Sequence, residues 1–151
     1  MNKLNNEAIK MKSHKFLEHT ADVLFEASGS SFEETLEECA VAMFETIADI
    51  SKVNDKKKIE VSETAPSLEE LVLFTLANLL SQMDAEELFF KKFEVTKFGK
   101  NEYGSYFISG TAFGSPMDPK IGKIVVKAVT HHLLNVSKKD GKWKIRVLID
   151  I

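Results

Sequence analysis

The stretch that most restricts the fold is residues 67–83, because it is apolar on nearly every side of a helix. Its apolar side chains recur at helical spacing, and Ser67 with Glu70 forms a capping box at the start. A helix of this kind has to be buried, so the rest of the chain must supply a sheet that covers it. Its apolar side chains are Leu68, Leu71, Val72, Leu73, Phe74, Leu76, Ala77, Leu79, Leu80 and Met83.

Helical spacing also occurs in residues 31–50, where the capping box is either Ser31 with Glu34 or Ser30 with Glu33. After the second helix, segments of high β propensity alternate with turns that contain Gly, Lys and Asn. This order of strands and helices predicts one α+β domain with a mostly antiparallel sheet. The later strands are predicted at 89–98, 103–113, 123–136 and 142–151.

Length and composition limit the class of protein. The chain has 151 residues, enough for one buried core, and we predict a flexible extension (1–12) before a single domain (13–151). A net charge of −3 gives no general reason to expect nucleic-acid binding. Cys39 is the only cysteine, which excludes a disulfide framework and a thiolate zinc cluster. The sequence has neither a membrane-spanning apolar run nor a signal-peptide pattern, so we expect a cytoplasmic protein.

The stretch LEHTADVLFEAS, residues 17–28, places polar side chains between two apolar segments. Among them is Asp22, although aspartate is rare within strands. Asp22 therefore indicates either an Asx turn or a functional site, and the chemistry of the residue alone favours neither.

The predicted last strand carries a second carboxylate at its end. Period-two alternation turns Trp143 toward the core and Asp150 away from it, beside the main-chain carboxylate of Ile151. Adjacent negative groups repel each other unless positive charge lies between them, which a divalent cation, a lysine or an arginine would supply. The simpler alternative is an ordinary solvated chain end.

The preceding strand carries further polar side chains. The same alternation predicts that Lys127 and His131 share the outward face with Arg146 and Asp150. The chain contains no nucleophile elbow, no phosphate-cradling glycine loop and no zinc-ligand spacing. We therefore predict no catalytic residues.

Several of these segments occur together in one known family. Residues 18–22 (EHTAD), the helix after Gly29, residues 126–130 (VKAVT) with His132, and the ending Asp150-Ile151 resemble the archease family in order and spacing. The resemblance runs from about Ser13 to the last residue. It implies duplicated strand-helix-strand units whose mostly antiparallel sheet wraps around two helices.

The resemblance also implies a function. Archeases are non-catalytic accessory proteins of the RtcB-type RNA-splicing ligase, and they promote its guanylylation by GTP and its multiple turnover in tRNA splicing. The expected partner is therefore such a ligase, with no sequence-specific nucleic-acid binding and no membrane. The residues alone leave two other interpretations open: a small metal-dependent phosphohydrolase, and a chaperone-like or RNA-binding module.

The family resemblance assigns candidate site residues as well. It implies a divalent cation, typically calcium, with magnesium or manganese as alternatives, bound by Asp22, Asp150 and main-chain oxygen of Ile151. Oxygen ligands of this kind suit hard cations. Residues expected to face the ligase or a phosphate are His19, Lys127 and His132.

The loop before VKAVT departs from the family pattern. Where archeases commonly carry a glutamate, this chain has Ser115, and Gly122 stands near the position of a usual histidine. These departures bear on any part that Asp118 takes in the site.

Overall fold

The computed structural model describes residues 12–18 and 21–151. The predicted extension falls largely on residues 1–11, outside the described residues, and stays a prediction. The elements are β1 (Ser13–Leu17), β2 (Asp22–Gly29), α1 (Phe32–Ile47), a 3₁₀ helix (Ile50–Lys52), β3 (Lys57–Ala65), α2 (Leu68–Glu86), β4 (Leu88–Lys100), β5 (Tyr106–Pro116), β6 (Ala128–Lys139) and β7 (Lys142–Asp150).

The strands form two antiparallel sheets that hold the two helices. The first has the order β1-β2-β7-β6 and the second the order β3-β5-β4. The predicted α+β class is confirmed, with two sheets in place of one. Because β2 lies beside β7, an early segment of the chain pairs directly with a late one.

Both helices begin at serine caps. The Ser31 hydroxyl accepts a hydrogen bond from the Glu34 amide at 3.1 Å, which decides between the two predicted capping boxes. The Ser67 hydroxyl accepts in the same way from the Glu70 amide at 3.1 Å. Each cap satisfies a backbone donor that the first helical turn leaves without a partner.

The core lies between the helices and the inner faces of the sheets. Helix α1 packs on β2, β4 and β7, whereas α2 packs mainly on β3 and β6. Coverage of α2 is less complete than predicted, since Phe74 is 39% exposed. Cys39 is fully buried, and burial raises the pKa of its thiol well above the ordinary value, which disfavours the reactive thiolate. Neither α1 nor α2, among the residues described, is long and apolar enough to cross a membrane.

The first sheet is joined to α1 through a histidine on its edge strand. His14 Nδ1 lies 2.5 Å from Glu38 Oε1, and His14 Nε2 lies 2.9 Å from Glu45 Oε2. Burial by itself lowers the pKa of His14, but the two carboxylates outweigh it and the pKa is raised overall. The imidazole of His14, held between these two carboxylates, therefore links β1 to α1.

One strand prediction is too long. Residues 123–127 were expected in a strand, but β6 begins at Ala128. The preceding segment instead crosses the C-terminal end of α1, where the Asp49 amide donates to the Ile121 carbonyl at 2.9 Å and the Lys123 amide donates to the Ile47 carbonyl at 2.8 Å. Carbonyls at a helix end need partners, and these residues supply one in place of a strand ladder.

Candidate functional site

Asp22 and Asp150 stand directly opposite each other on neighbouring strands. The antiparallel register of β2 and β7 makes their Cα atoms partners. Side chains of directly opposed residues lie on the same sheet face, with Cβ atoms about 4.5–5.5 Å apart. Both residues are half-buried. The fold therefore brings together the two carboxylates that the sequence marked, although they lie far apart in the chain.

The main chain at the end of β7 is held on two sides. The Lys127 amide donates to the main-chain carbonyl of Asp150 at 2.7 Å. The side chain of Ile151 is half-buried and packs against the core. These contacts hold the end of β7, where Asp150 stands opposite Asp22 and Ile151 follows directly.

A cavity of about 360 Å³ opens beside Asp22. Lys123 is part of its lining, and its Nζ donates to the main-chain carbonyl of Glu45 at 3.0 Å, near the C-terminal end of α1. Cations are stabilised there by the helix dipole. Lys123 was not among the predicted site residues, because nothing in the sequence relates it to Asp22. The lining residues are Phe16, Leu17, Asp22, Val23, Glu45, Thr46, Lys123 and Ile124.

The available donors fit a hard cation with few protein ligands. Among residues 12–18 and 21–151, no group of three or more His, Cys, Asp or Glu side chains is arranged to hold a metal ion. Side chains would thus supply two carboxylates, from Asp22 and Asp150, and main-chain oxygen or water the remaining ligands. Calcium and magnesium accept oxygen ligands of all three kinds.

The next pair along this sheet face is apolar. Leu24 and Leu148 are also Cα partners, and they are only 7% and 2% exposed. They lie on the opposite face from Phe25 and Val147, which belong to the main core. A small buried apolar patch therefore supports the carboxylate pair from one side.

Lys127 precedes β6 and His131 lies in a bulge, so the predicted alternation that placed both on the face of Asp150 does not hold through this strand. Ala128 is the Cα partner of Asp150, so Ala128 shares its face, whereas Val129 opposes Ile149 on the core side. The cause is a bulge, in which residues 131–134 stand opposite Val147 alone. Such an insertion of three extra residues reverses the alternation, so a single period-two count cannot continue through β6.

Three predicted site residues remain: Lys127, His132 and His19. Lys127 is exposed directly before β6, and His132 is exposed within the bulge. His19 lies outside the described residues. The bulge also contains Leu133 at φ 62°, a backbone conformation that costs a leucine about 1 kcal/mol or more.

In the loop that departs from the family pattern, Ser115 and Asp118 both accept hydrogen bonds from nearby backbone amides. Ser115 is 6% exposed within β5, and its hydroxyl accepts a hydrogen bond from the Asn54 amide at 3.2 Å. Asp118 is exposed and its side chain accepts from the Lys120 amide at 2.9 Å, which is an Asx turn. Both side chains therefore have local structural partners.

Comparison with known proteins gives consistent matches over this fold. The model of the Archease protein family (MTH1598/TM1083) matches residues 14–151. The protein archease of Methanosarcina mazei is 39% identical over 142 residues, which are 93% of this chain and 97% of that one.

Two solved structures share the architecture. The solution structure of protein 1598 from Methanobacterium thermoautotrophicum has a TM-score of 0.79 and 31% identity, covering 91% of this chain and 98% of that one. A crystal structure from Thermotoga maritima, described as an archease and possible chaperone, has a TM-score of 0.58 and 22% identity, covering 91% and 96%, and supports the fold alone. Since the family model spans nearly the whole chain and the relatives are matched over nearly their whole length, this protein belongs to the archease family.

Proposed function

We propose that this protein is a metal-binding accessory protein that activates an RtcB-type RNA-splicing ligase. It promotes guanylylation of the ligase by GTP and multiple turnover in tRNA splicing, without catalysis of its own. Family membership supports the role. The observation that carries the metal part of the proposal is the direct opposition of Asp22 and Asp150 across β2 and β7.

Asp22, Asp150 and main-chain oxygen of Ile151 are the residues that would hold the cation. Two carboxylates directly opposite each other repel, and a divalent cation between them converts that repulsion into attraction. The bound cation would supply positive charge between these two carboxylates. Calcium, magnesium and manganese all bind oxygen ligands of this kind.

Lys127 is the side chain best placed to contact a partner near this pair. Its backbone amide donates to the Asp150 carbonyl, so its position is tied to the site, while its side chain is exposed. An exposed ammonium beside an acidic site suits a phosphate or a carboxylate of the ligase. His132, exposed in the bulge of the same strand, is a second candidate contact.

The test is guanylylation of a cognate ligase with GTP, measured with and without this protein. We expect wild type to stimulate the reaction and Asp22→Asn, which keeps the size of the side chain, to lose most of the stimulation. Asp55→Asn is the matched control, because it removes one exposed carboxylate elsewhere. Wild-type stimulation by Asp22→Asn would contradict the proposal.

The same preparation separates the proposal from the hydrolase alternative. A phosphatase assay on the protein alone, with magnesium or manganese present, should show no turnover of a generic phosphate ester. Turnover that disappears in Asp22→Asn would instead favour a metal-dependent phosphohydrolase, since the same carboxylates could then hold a cation that activates water.

A further inference from the structure

The hairpin formed by β6 and β7 carries a cluster of lysines at its tip. The turn is made by Asp140 at φ 55° and Gly141 at φ 75°, two positive values in succession that are typical of a tight hairpin. Lys139 and Lys142, which flank the turn, are Cα partners. Lys144 lies two residues further on the same face. These three side chains are called the lysine face below.

The lysine face is unfavourable for the stability of the protein by itself. Like charges directly opposite each other on paired strands are destabilising, and Lys139 faces Lys142 in this way. Among the described residues that line the same cleft, Asp140 alone carries a carboxylate. Glu26, the next one along the sheet, lies 3.9 Å from Lys144 Nζ but also 3.5 Å from Arg146. Positive charge therefore exceeds negative charge over this end of the sheet.

The excess is local, because the chain as a whole carries a net charge of −3. Residues 137–146 (SKKDGKWKIR) contain five cationic side chains and one carboxylate. The three lysines of the lysine face are exposed and, with Ser137 and Asp140, line an open cleft of about 610 Å³. A cation cluster on an otherwise acidic chain indicates an anionic partner.

We propose that the lysine face binds the sugar-phosphate backbone of single-stranded RNA without reading its sequence. Residues two apart on a strand are about 6.7 Å apart, so Lys142 and Lys144 form a row that can follow successive phosphates. Lysine is a compact point charge with freely rotating donors, which suits phosphate contacts that carry no sequence information.

The aromatic side chain nearby is not available to stack on bases. Trp143 lies on the core side of β7, where its ring packs edge-on against Phe32 with ring centroids 5.7 Å apart. Lys138 covers it, with Nζ 5.4 Å from the ring centroid. Contact by charge alone, without base stacking, explains why binding here would be independent of sequence.

This inference rests on the proposed function, since the substrate of an RNA-splicing ligase is RNA. The lysine face and the Asp22–Asp150 pair share one sheet face. They lie at opposite ends of β7, about 26 Å apart at 3.3 Å per residue. RNA held at the basic end would therefore leave the candidate cation site at the other end free for the ligase.

The experiment measures binding of fluorescently labelled polyuridylate to the full chain over a range of salt concentrations. In one variant Lys139, Lys142 and Lys144 are all changed to alanine. The matched control changes Lys56, Lys57 and Lys58, exposed lysines at the start of β3, and removes the same charge. We expect about tenfold weaker binding for the hairpin variant at low salt, with a salt slope smaller by about 2, and little change in the control.

Other outcomes overturn the proposal. Equal weakening in both variants means that only net charge matters, and absence of salt-sensitive binding by wild type removes the RNA site. Binding of polyglutamate that is as tight and depends on the same lysines assigns the face to an acidic protein instead.

Guanylylation measured without RNA separates this inference from the proposed function. The hairpin variant should stimulate the ligase as wild type does, because its altered lysines lie outside the candidate metal site. If wild type itself does not stimulate guanylylation of the ligase, the proposed accessory role is wrong. The RNA-binding measurement still tests whether the lysine face binds RNA.

Discussion

The two ends of strand β7 carry like-charge pairs of opposite sign. At one end Asp150 faces Asp22, and at the other Lys142 faces Lys139. The acidic pair joins residues from distant parts of the chain, whereas the basic pair is made by a local turn. Like charges placed directly opposite each other on paired strands repel, so each end favours a partner of the opposite charge. This difference is the reason for proposing a cation site at one end of β7 and an anion site at the other.

The middle of β7 separates the two charged ends. Removing an apolar side chain there should have the largest effect on the free energy of unfolding. Leu148→Ala leaves a space beside Leu24 on the outward face and should lower the free energy of unfolding by about 3 kcal/mol. Leu133→Ala is the matched control, because Leu133 is 39% exposed and should lose well under half as much. Urea denaturation followed by circular dichroism measures both. Similar losses in the two variants would mean that the Leu24–Leu148 patch does not hold the strand.

The acidic end should respond to a cation and the basic end should not. With free calcium at one hundred times its Kd, wild type should gain about 2.7 kcal/mol of unfolding free energy. Asp22→Asn should lose this gain, and Lys142→Ala should keep it. Thermal or urea unfolding of the three proteins, with calcium or with a chelator, measures these differences. A calcium response that persists in Asp22→Asn would place the cation elsewhere.

The basic end should respond to charge reversal. Lys142→Glu replaces a repulsive cross-strand pair with an attractive one, so it should raise the free energy of unfolding by about 0.5 kcal/mol at low salt. The gain should fade as salt screens the exposed pair. Lys56→Glu, at a position outside this pair, controls for the change in net charge. A loss of stability in Lys142→Glu would show that the lysines do not repel each other.

The smallest effect on stability is expected at the contact of His14 with Glu38 and Glu45, where groups of opposite charge meet. Because the folded pKa of His14 is raised, its contribution is fully present below the unfolded value near 6.5 and is lost as the pH rises through the folded pKa. The difference in stability between wild type and His14→Gln should therefore shrink with rising pH. Urea midpoints over this range measure it, with the exposed His131→Gln as control. A difference that grows with pH would contradict the charged contact.

The sequence predicted those features that depend on an uninterrupted local pattern. Asp150 was correctly turned away from the core, because β7 keeps its alternation from Lys142 to the end. The continuous alternation predicted from Lys127 through His131 failed, because the bulge at residues 131–134 reverses the alternation within β6. Nothing local marks where such a bulge occurs, although the structure shows that it contains a left-handed residue, Leu133.

Contacts between residues that lie far apart in the sequence could not be predicted from periodicity alone. Opposition of Asp22 and Asp150 follows from the pairing of β2 with β7, which no local pattern specifies. Only the family resemblance grouped the two residues in advance. Lys123 was missed for the same reason, since its place beside Asp22 arises where the segment before β6 crosses the end of α1.

The pairing of β2 with β7 has a consequence for synthesis of the protein. At about 5–20 residues per second on the ribosome, β7 follows β2 by roughly 6–26 s. During that time β2 has one open edge, with its hydrogen-bonding groups available to other strands. The carboxylate pair cannot form until this last strand has been added. Cation binding at the proposed site would therefore report that β7 has been made and has paired with β2.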